Sequence, residues 1–296
     1  MKIFMRIVGL GLLAFLGAAL ILGLLIYAMQ DSMIFHPRGY NQPRPAELRA
    51  LETTLPIGRQ VSYVADFRTD RSVPPTQLWM FFNGNASVAR DWWQYRTWPS
   101  GVEGSMFAYV EYPGYGESQG RPTPESILAA SEAVFAALAD ELGLPPNELA
   151  ERTVLVGHSM GAAAAMQFAT QHPPAHVVLL NPFTSLLDMA RLTVPPPYHL
   201  LLRHRLDNRA RLGELARLPS PPRVWIIHGD RDDVIPLRMG EELARLHPAI
   251  VTLRVVPGDH VSTLEDLERL MPELLPPSSA ASGAESASPW KEPATP

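Results

Sequence analysis

The chain has 296 residues, with 25 basic and 30 acidic side chains and a formal net charge of −5. That size fits one large domain or two small ones, and the mild acidity gives no reason to expect a nucleic-acid partner. Cysteine is absent and lysine occurs only as Lys2 and Lys291, which excludes disulfides, thiolate metal sites, cysteine nucleophiles, pyridoxal Schiff bases and Gly-Lys phosphate loops.

Residues 7–29 form 23 consecutive uncharged positions rich in Leu, Ile, Gly and Ala. As a helix this run reaches roughly 34 Å, enough to cross a bilayer core. A secretory signal would have a shorter apolar stretch ending in small residues. Here the run ends Tyr27-Ala28-Met29-Gln30, so residues 1–30 are expected to be an uncleaved anchor, with secretion after cleavage as the alternative. Lys2 and Arg6 precede the run. The positive-inside rule then leaves the amino terminus cytoplasmic and the rest across the membrane, in the periplasm if the cell is bacterial. Residues 276–296 are dominated by Ser, Ala and Pro without periodicity and are expected to be a disordered tail. Between them lies one expected domain, residues 31–275. The anchor is expected to hold that domain at the membrane and to take no part in its chemistry.

Within the domain, apolar runs predict strands over 77–82, 105–110, 153–156, 176–180, 223–227 and 252–256. Helical spacing falls between them at 124–142, 162–170, 237–246 and 261–270. Continuous apolar strands alternating with helices predict an α/β fold with a mostly parallel central sheet covered on both faces. Functional residues of such folds sit in loops at the carboxyl ends of the strands.

Three of these loops carry a matched set. Gly157-His158-Ser159-Met160-Gly161 follows a strand and precedes an Ala-rich helix, the setting in which a sharp turn lifts a serine hydroxyl clear of the sheet. The Met160 N–H, at a helix start, is placed to donate to an oxyanion. His228-Gly229-Asp230-Arg231-Asp232-Asp233 follows another strand, and any of its three aspartates could orient a histidine. Pro257-Gly258-Asp259-His260 follows the last strand. The order Ser, Asp, His is the one this architecture uses, and a histidine of ordinary pKa suits a general base. A fourth loop, Asn83-Gly84-Asn85-Ala86, offers the Asn85 N–H as the second oxyanion donor. Most of the aromatics that follow it, Trp92, Trp93, Tyr95 and Trp98, are expected to pack in the core.

With Gln30-Asp31-Ser32-Met33-Ile34-Phe35-His36-Pro37 and Glu111-Tyr112-Pro113-Gly114-Tyr115-Gly116, these motifs resemble the α/β-hydrolases. They are most similar to the membrane-anchored group that includes monoacyl- and lysophospholipid lipases and protein depalmitoylases. The resemblance spans roughly residues 30–272 and implies an α/β-hydrolase fold preceded by one transmembrane helix. In the family's His-Gly-x-x-Asp pattern the acid falls on Asp232. Position 83 departs from the family, with Asn where His is usual.

The resemblance thus implies a Ser159-His260-Asp232 triad, an oxyanion hole from Asn85 and Met160, and no metal or cofactor. The expected partners are an acyl-ester or lipid substrate and, through residues 7–29, the membrane. A serine peptidase on the same fold is one alternative, and a catalytically silent membrane-tethered binding protein is another. Residues 183–218 are expected to form a short cap. They are Leu-rich and hold Arg191, Arg203, Arg205, Arg209, Arg211 and Arg217. Two readings apply to these cations: amphipathic helices with a solvated basic face, or a basic mouth for an anionic head group or membrane surface.

Overall fold

The computed structural model describes residues 1–95 and 103–274. Trp98 and the tail at 276–296 lie outside these residues.

An eight-stranded sheet forms the centre, in the order β1-β2-β4-β3-β5-β6-β7-β8. Its strands are β1 (Arg49–Leu55), β2 (Gly58–Asp66), β3 (Leu78–Phe82), β4 (Met106–Val110), β5 (Thr153–His158), β6 (His176–Leu180), β7 (Arg223–Gly229) and β8 (Val251–Val256). β1 and β2 pair antiparallel, β2 joins β4 antiparallel, and all other pairings are parallel. The helices are α1 (Lys2–Ile34), α2 (Pro124–Leu142), α3 (Pro146–Glu151), α4 (Met160–Gln171), α5 (Leu186–Thr193), α6 (Asn208–Leu215), α7 (Leu237–Leu246) and α8 (Thr263–Leu274). A single 3₁₀ turn, Tyr198–Leu201, lies between α5 and α6.

The expected α/β fold with a mostly parallel sheet is borne out. β3 shows why its strands read as unbroken apolar runs. Leu78, Met80 and Phe82 join one core with α2, α4, α6 and α7, whereas Trp79 and Phe81 join the opposite core with Trp92, Trp93 and α8. Each strand side chain is buried whichever way it points. Trp92 and Trp93 are core residues, as expected.

The β1–β2 hairpin has no counterpart in the predicted elements. β1 is an edge strand with only Leu51 buried, so its sequence, Arg-Ala-Leu-Glu-Thr-Thr-Leu, carries too few apolar residues to mark a strand. α2 matches its predicted span because its ends are marked locally. Thr123 and Ser126 form a reciprocal cap, Pro124 opens the helix, and Gly143 closes it at φ 63°.

α1 runs 33 residues, and its most apolar window has a mean hydropathy of 2.6 with 6% buried. By length and composition it is able to cross a bilayer.

Candidate active site

β5 ends at His158, and the chain reverses at Ser159 into α4. Ser159 holds φ 56° and ψ −118°, a conformation that costs an ordinary L-residue about 1–3 kcal/mol. The flanking glycines make the turn possible. A Cβ on Gly161 would collide with the carbonyls of Phe82 and Asn83, and one on Gly157 would lie 2.7 Å from the Ala162 Cα. Removing those side chains seats the start of α4 against the end of β3. The Met160 N–H belongs to the first turn of α4, which has no acceptor within the helix.

His260 Nδ1 donates to Asp232 Oδ2 at 2.8 Å. The other oxygen, Oδ1, accepts the backbone N–H groups of Val234 and Ile235 at 2.9 and 2.8 Å. Burial raises the Asp232 pKa, but the His260 hydrogen bond and these two amides outweigh it, so the carboxyl sits below its ordinary value. Asp232 therefore stays ionised, and a proton on Nδ1 leaves the lone pair on His260 Nε2. Asp230 and Asp233 are exposed. Asp230 accepts the Gly258 N–H at 2.9 Å and so holds the histidine loop rather than the imidazole.

The His260 carbonyl is fixed from two sides. His158 Nε2 donates to it at 2.8 Å and Asn181 Nδ2 at 2.7 Å. The His158 and His260 rings lie 4.8 Å apart. Burial, followed by the neighbouring His260, lowers the His158 pKa to about 4, so His158 is neutral and serves as a donor. Among the described residues no hydrogen bond joins Ser159 Oγ to His260. The two residues are linked through His158, the immediate neighbour of Ser159, and such contacts often shorten only when substrate is bound.

Asn181 was invisible to sequence reasoning. It is fully buried at φ 48° directly after β6. Besides His260 it holds Thr263 Oγ1 at 2.7 Å, and its Oδ1 accepts the Gly229 N–H at 3.0 Å. One amide therefore joins the loops that carry Asp232 and His260. The available signal was a polar residue closing an unbroken apolar strand.

The loop at 83–86 is set by the motif at 111–116, whose role was likewise missed. Tyr112 Oη donates to the Asn83 carbonyl at 2.8 Å, and Tyr115 Oη donates to the Asn85 carbonyl at 2.6 Å. Glu111 accepts the Ala89 N–H at 3.1 Å and the Tyr40 hydroxyl. Asn83 donates to the Val110 carbonyl at 3.2 Å, so the residue that departs from the family bridges β3 and β4.

Burial raises the Glu111 carboxyl to about 8 from its ordinary 4.5. An acid whose folded pKa is raised lends stability that is full below its unfolded pKa and is lost as pH rises through the folded one. The melting temperature is therefore expected to fall between pH 4.5 and 8. Glu111→Gln, a neutral mimic of the protonated acid, should flatten the profile across that window in thermal melts. An unchanged slope would remove Glu111 as its source.

Ser159, Met160 and Asn85 open onto one cavity of about 220 Å³. Phe183, Leu186, Met189 and Leu202 supply much of its apolar wall, with Val234 and Ile235 from the Asp232 loop. Ile26, Gln30, Met33 and Ile34 of α1 line it too. The last turns of α1 thus pack beside the cavity, a contact its apolar pattern does not announce. Four of the six cap arginines are ion-paired within the chain. Arg191 pairs with Asp188, Arg203 with Asp31, Arg209 with Asp188 and Glu242, and Arg211 with Glu214. Arg191 and Arg211 meet acids at i,i+3 spacing, Arg203 meets the end of α1, and Arg209 meets α5 and α7. Among the described residues no group of three or more His, Asp or Glu side chains is arranged to hold a metal ion.

Residues 80–219 match a family model described as the alpha/beta hydrolase family. An uncharacterized protein of Mycobacterium tuberculosis, Rv2307c, is 34% identical over 148 residues, covering 50% of this chain and 50% of that protein. Human alpha/beta hydrolase domain-containing protein 17B is 30% identical over 141 residues, covering 48% of this chain and 44% of that protein. The chain thus spans about half the length of these curated relatives. Among solved structures, the Pyrococcus furiosus esterase Pf2001 superposes with a TM-score of 0.62 at 17% identity, covering 81% of this chain and 96% of that one. At that identity the likeness is one of fold.

Proposed function

The chain belongs to the α/β-hydrolase superfamily, and on that premise we propose that it is a membrane-anchored serine hydrolase cleaving the carboxylic ester or thioester of an acyl chain. The observation that carries the proposal is the buried Asp232–His260 pair, tied through His158 to a strained serine that opens onto an apolar cavity.

In this reading Ser159 Oγ attacks the substrate carbonyl while His260 Nε2 takes the hydroxyl proton. Asp232 stabilises the imidazolium and holds its tautomer. The Asn85 and Met160 N–H groups receive the charge that develops on the carbonyl oxygen. His260 returns the proton to the departing alcohol or thiol and leaves an acyl-serine. Water, deprotonated by His260, then releases the acid. The apolar lining favours an acyl chain over a peptide.

A fluorophosphonate probe tests the proposal, because only an activated serine reacts with it. Wild-type protein is expected to label and Ser159→Ala is not. Absence of labelling in the wild type would leave the silent binding protein standing.

The anchor reading is supported by the last turns of α1, which pack into the domain while most of its apolar surface stays exposed. A removed signal peptide would take part of the cavity wall with it. The protein is expected to stay with membranes after alkaline carbonate washing and to keep its amino terminus before residue 30. A mature terminus beyond residue 30 would overturn the anchor. In this reading the positive charges at Lys2 and Arg6 keep the amino terminus cytoplasmic.

A further inference from the structure

Building on the acyl-hydrolase reading, we infer that the last turns of α1 form one wall of the acyl subsite, so that the membrane helix itself helps select the chain that is cleaved. Ile26, Gln30, Met33 and Ile34 all line the cavity shared with Ser159. Their spacing of four, seven and eight residues places them on one helix face. Ile26 and Ile34 are partly covered and Gln30 is buried, whereas neighbouring Leu25 and Met29, which do not line the cavity, are 53% and 55% exposed. The end of α1 therefore has two apolar sides, one turned to the cavity and one left for lipid.

A polar clamp keeps the first side against the cap. Gln30 is 4% exposed. Its Nε2 donates to the Leu201 carbonyl at 3.0 Å and its Oε1 accepts the Arg203 N–H at 2.7 Å. Next to it, Asp31 Oδ1 takes both Arg203 and His204 at 2.7 Å. About two to three turns deeper, Tyr198 Oη donates to the Ala19 carbonyl at 3.0 Å, and a Cβ on Gly23 would stand 3.3 Å from the Tyr198 ring. Glycine at 23 lets the cap lie against the helix, and a buried amide with two bonds made across the junction is costly to separate.

These contacts begin within the apolar run and end at the cavity. An acyl chain in the leaflet beside α1 lies along the same seam of Leu201, Tyr198 and Ile26 that leads to Ser159. The occupant is the chain of a membrane-resident ester, which enters alongside the helix rather than from bulk water. The tether then supplies both effective concentration and part of the specificity surface.

The test uses full-length protein in detergent micelles and the ratio of kcat/KM for p-nitrophenyl dodecanoate to that for p-nitrophenyl butyrate. A ratio taken on one preparation cancels any loss of folded enzyme. Ile26→Trp fills the wall and is expected to lower the ratio more than tenfold. Ile26→Ala enlarges it and should raise the ratio for hexadecanoate over dodecanoate. Leu25→Trp places the same bulk on the lipid side and should leave the ratio at the wild-type value. The inference is overturned if Ile26→Trp follows the wild-type chain-length profile, or if Leu25→Trp shifts it equally. Failure of the hydrolase reading is read separately: the wild type would then neither label with fluorophosphonate nor turn over butyrate, and the wall proposal would fall with it.

Discussion

Replacing Ser159 with alanine is expected to lower kcat for p-nitrophenyl ester hydrolysis by about 10⁴–10⁶. Alanine keeps the Cβ, so the turn and its neighbours lose only a hydroxyl. The backbone bond from the Ser159 N–H to the Leu180 carbonyl at 2.9 Å is untouched. Thermal melting should therefore stay close to wild type while fluorophosphonate labelling disappears. His260→Ala is expected to cost a similar factor, because nucleophile and base act as one unit and losing either removes the same step. Near-wild-type turnover in either variant would rule out the mechanism.

Asp232→Asn should be the most damaging of the loop aspartate changes, costing about 10⁴ in kcat. The amide oxygen can still accept the Val234 and Ile235 N–H groups, which bind Oδ1 in the wild type. The loop should keep its shape. The amide nitrogen would then face His260 Nδ1, where the carboxylate oxygen now lies at 2.8 Å. A donor there forces the proton onto Nε2, the nitrogen that must accept the serine proton. No negative charge remains to stabilise the imidazolium. Asp230→Asn loses part of a loop contact to Gly258, and Asp233 is exposed, so both should retain most activity. A greater loss from either would place the acid elsewhere. The assay is steady-state kinetics on a soluble short-chain ester, with melting temperatures as the control for folding.

Much of this architecture is legible in sequence because the signals are local. Strands β3 to β7 announce themselves as apolar runs since each is covered on both sides. The three expected site loops follow directly from strand ends, and the Gly-x-Ser-x-Gly turn declares its own geometry through the two glycines that a Cβ would jam. The α/β class followed from that alternation. Choosing Asp232 over Asp230 and Asp233 needed the family pattern, because all three are equivalent as residue types in one loop.

What sequence by itself determined, then, is the order of elements, the α/β class, the apolar helix at the start and the residue types at each strand end. Tertiary structure alone decided which distant groups meet. Gln30 and Leu201 are 171 positions apart, and Asn181 and His260 are 79 apart. Hydrophobic periodicity reports only which face of an element is buried, not what buries it. For that reason the pattern of α1 marks a helix able to span a bilayer and is silent on the cavity that its end lines. The cap arginines likewise read as available charge, although most are held by Asp31, Asp188, Glu214 and Glu242. An ion pair between segments leaves no trace in the local pattern of either one, because its partner is selected by the fold that brings the two together.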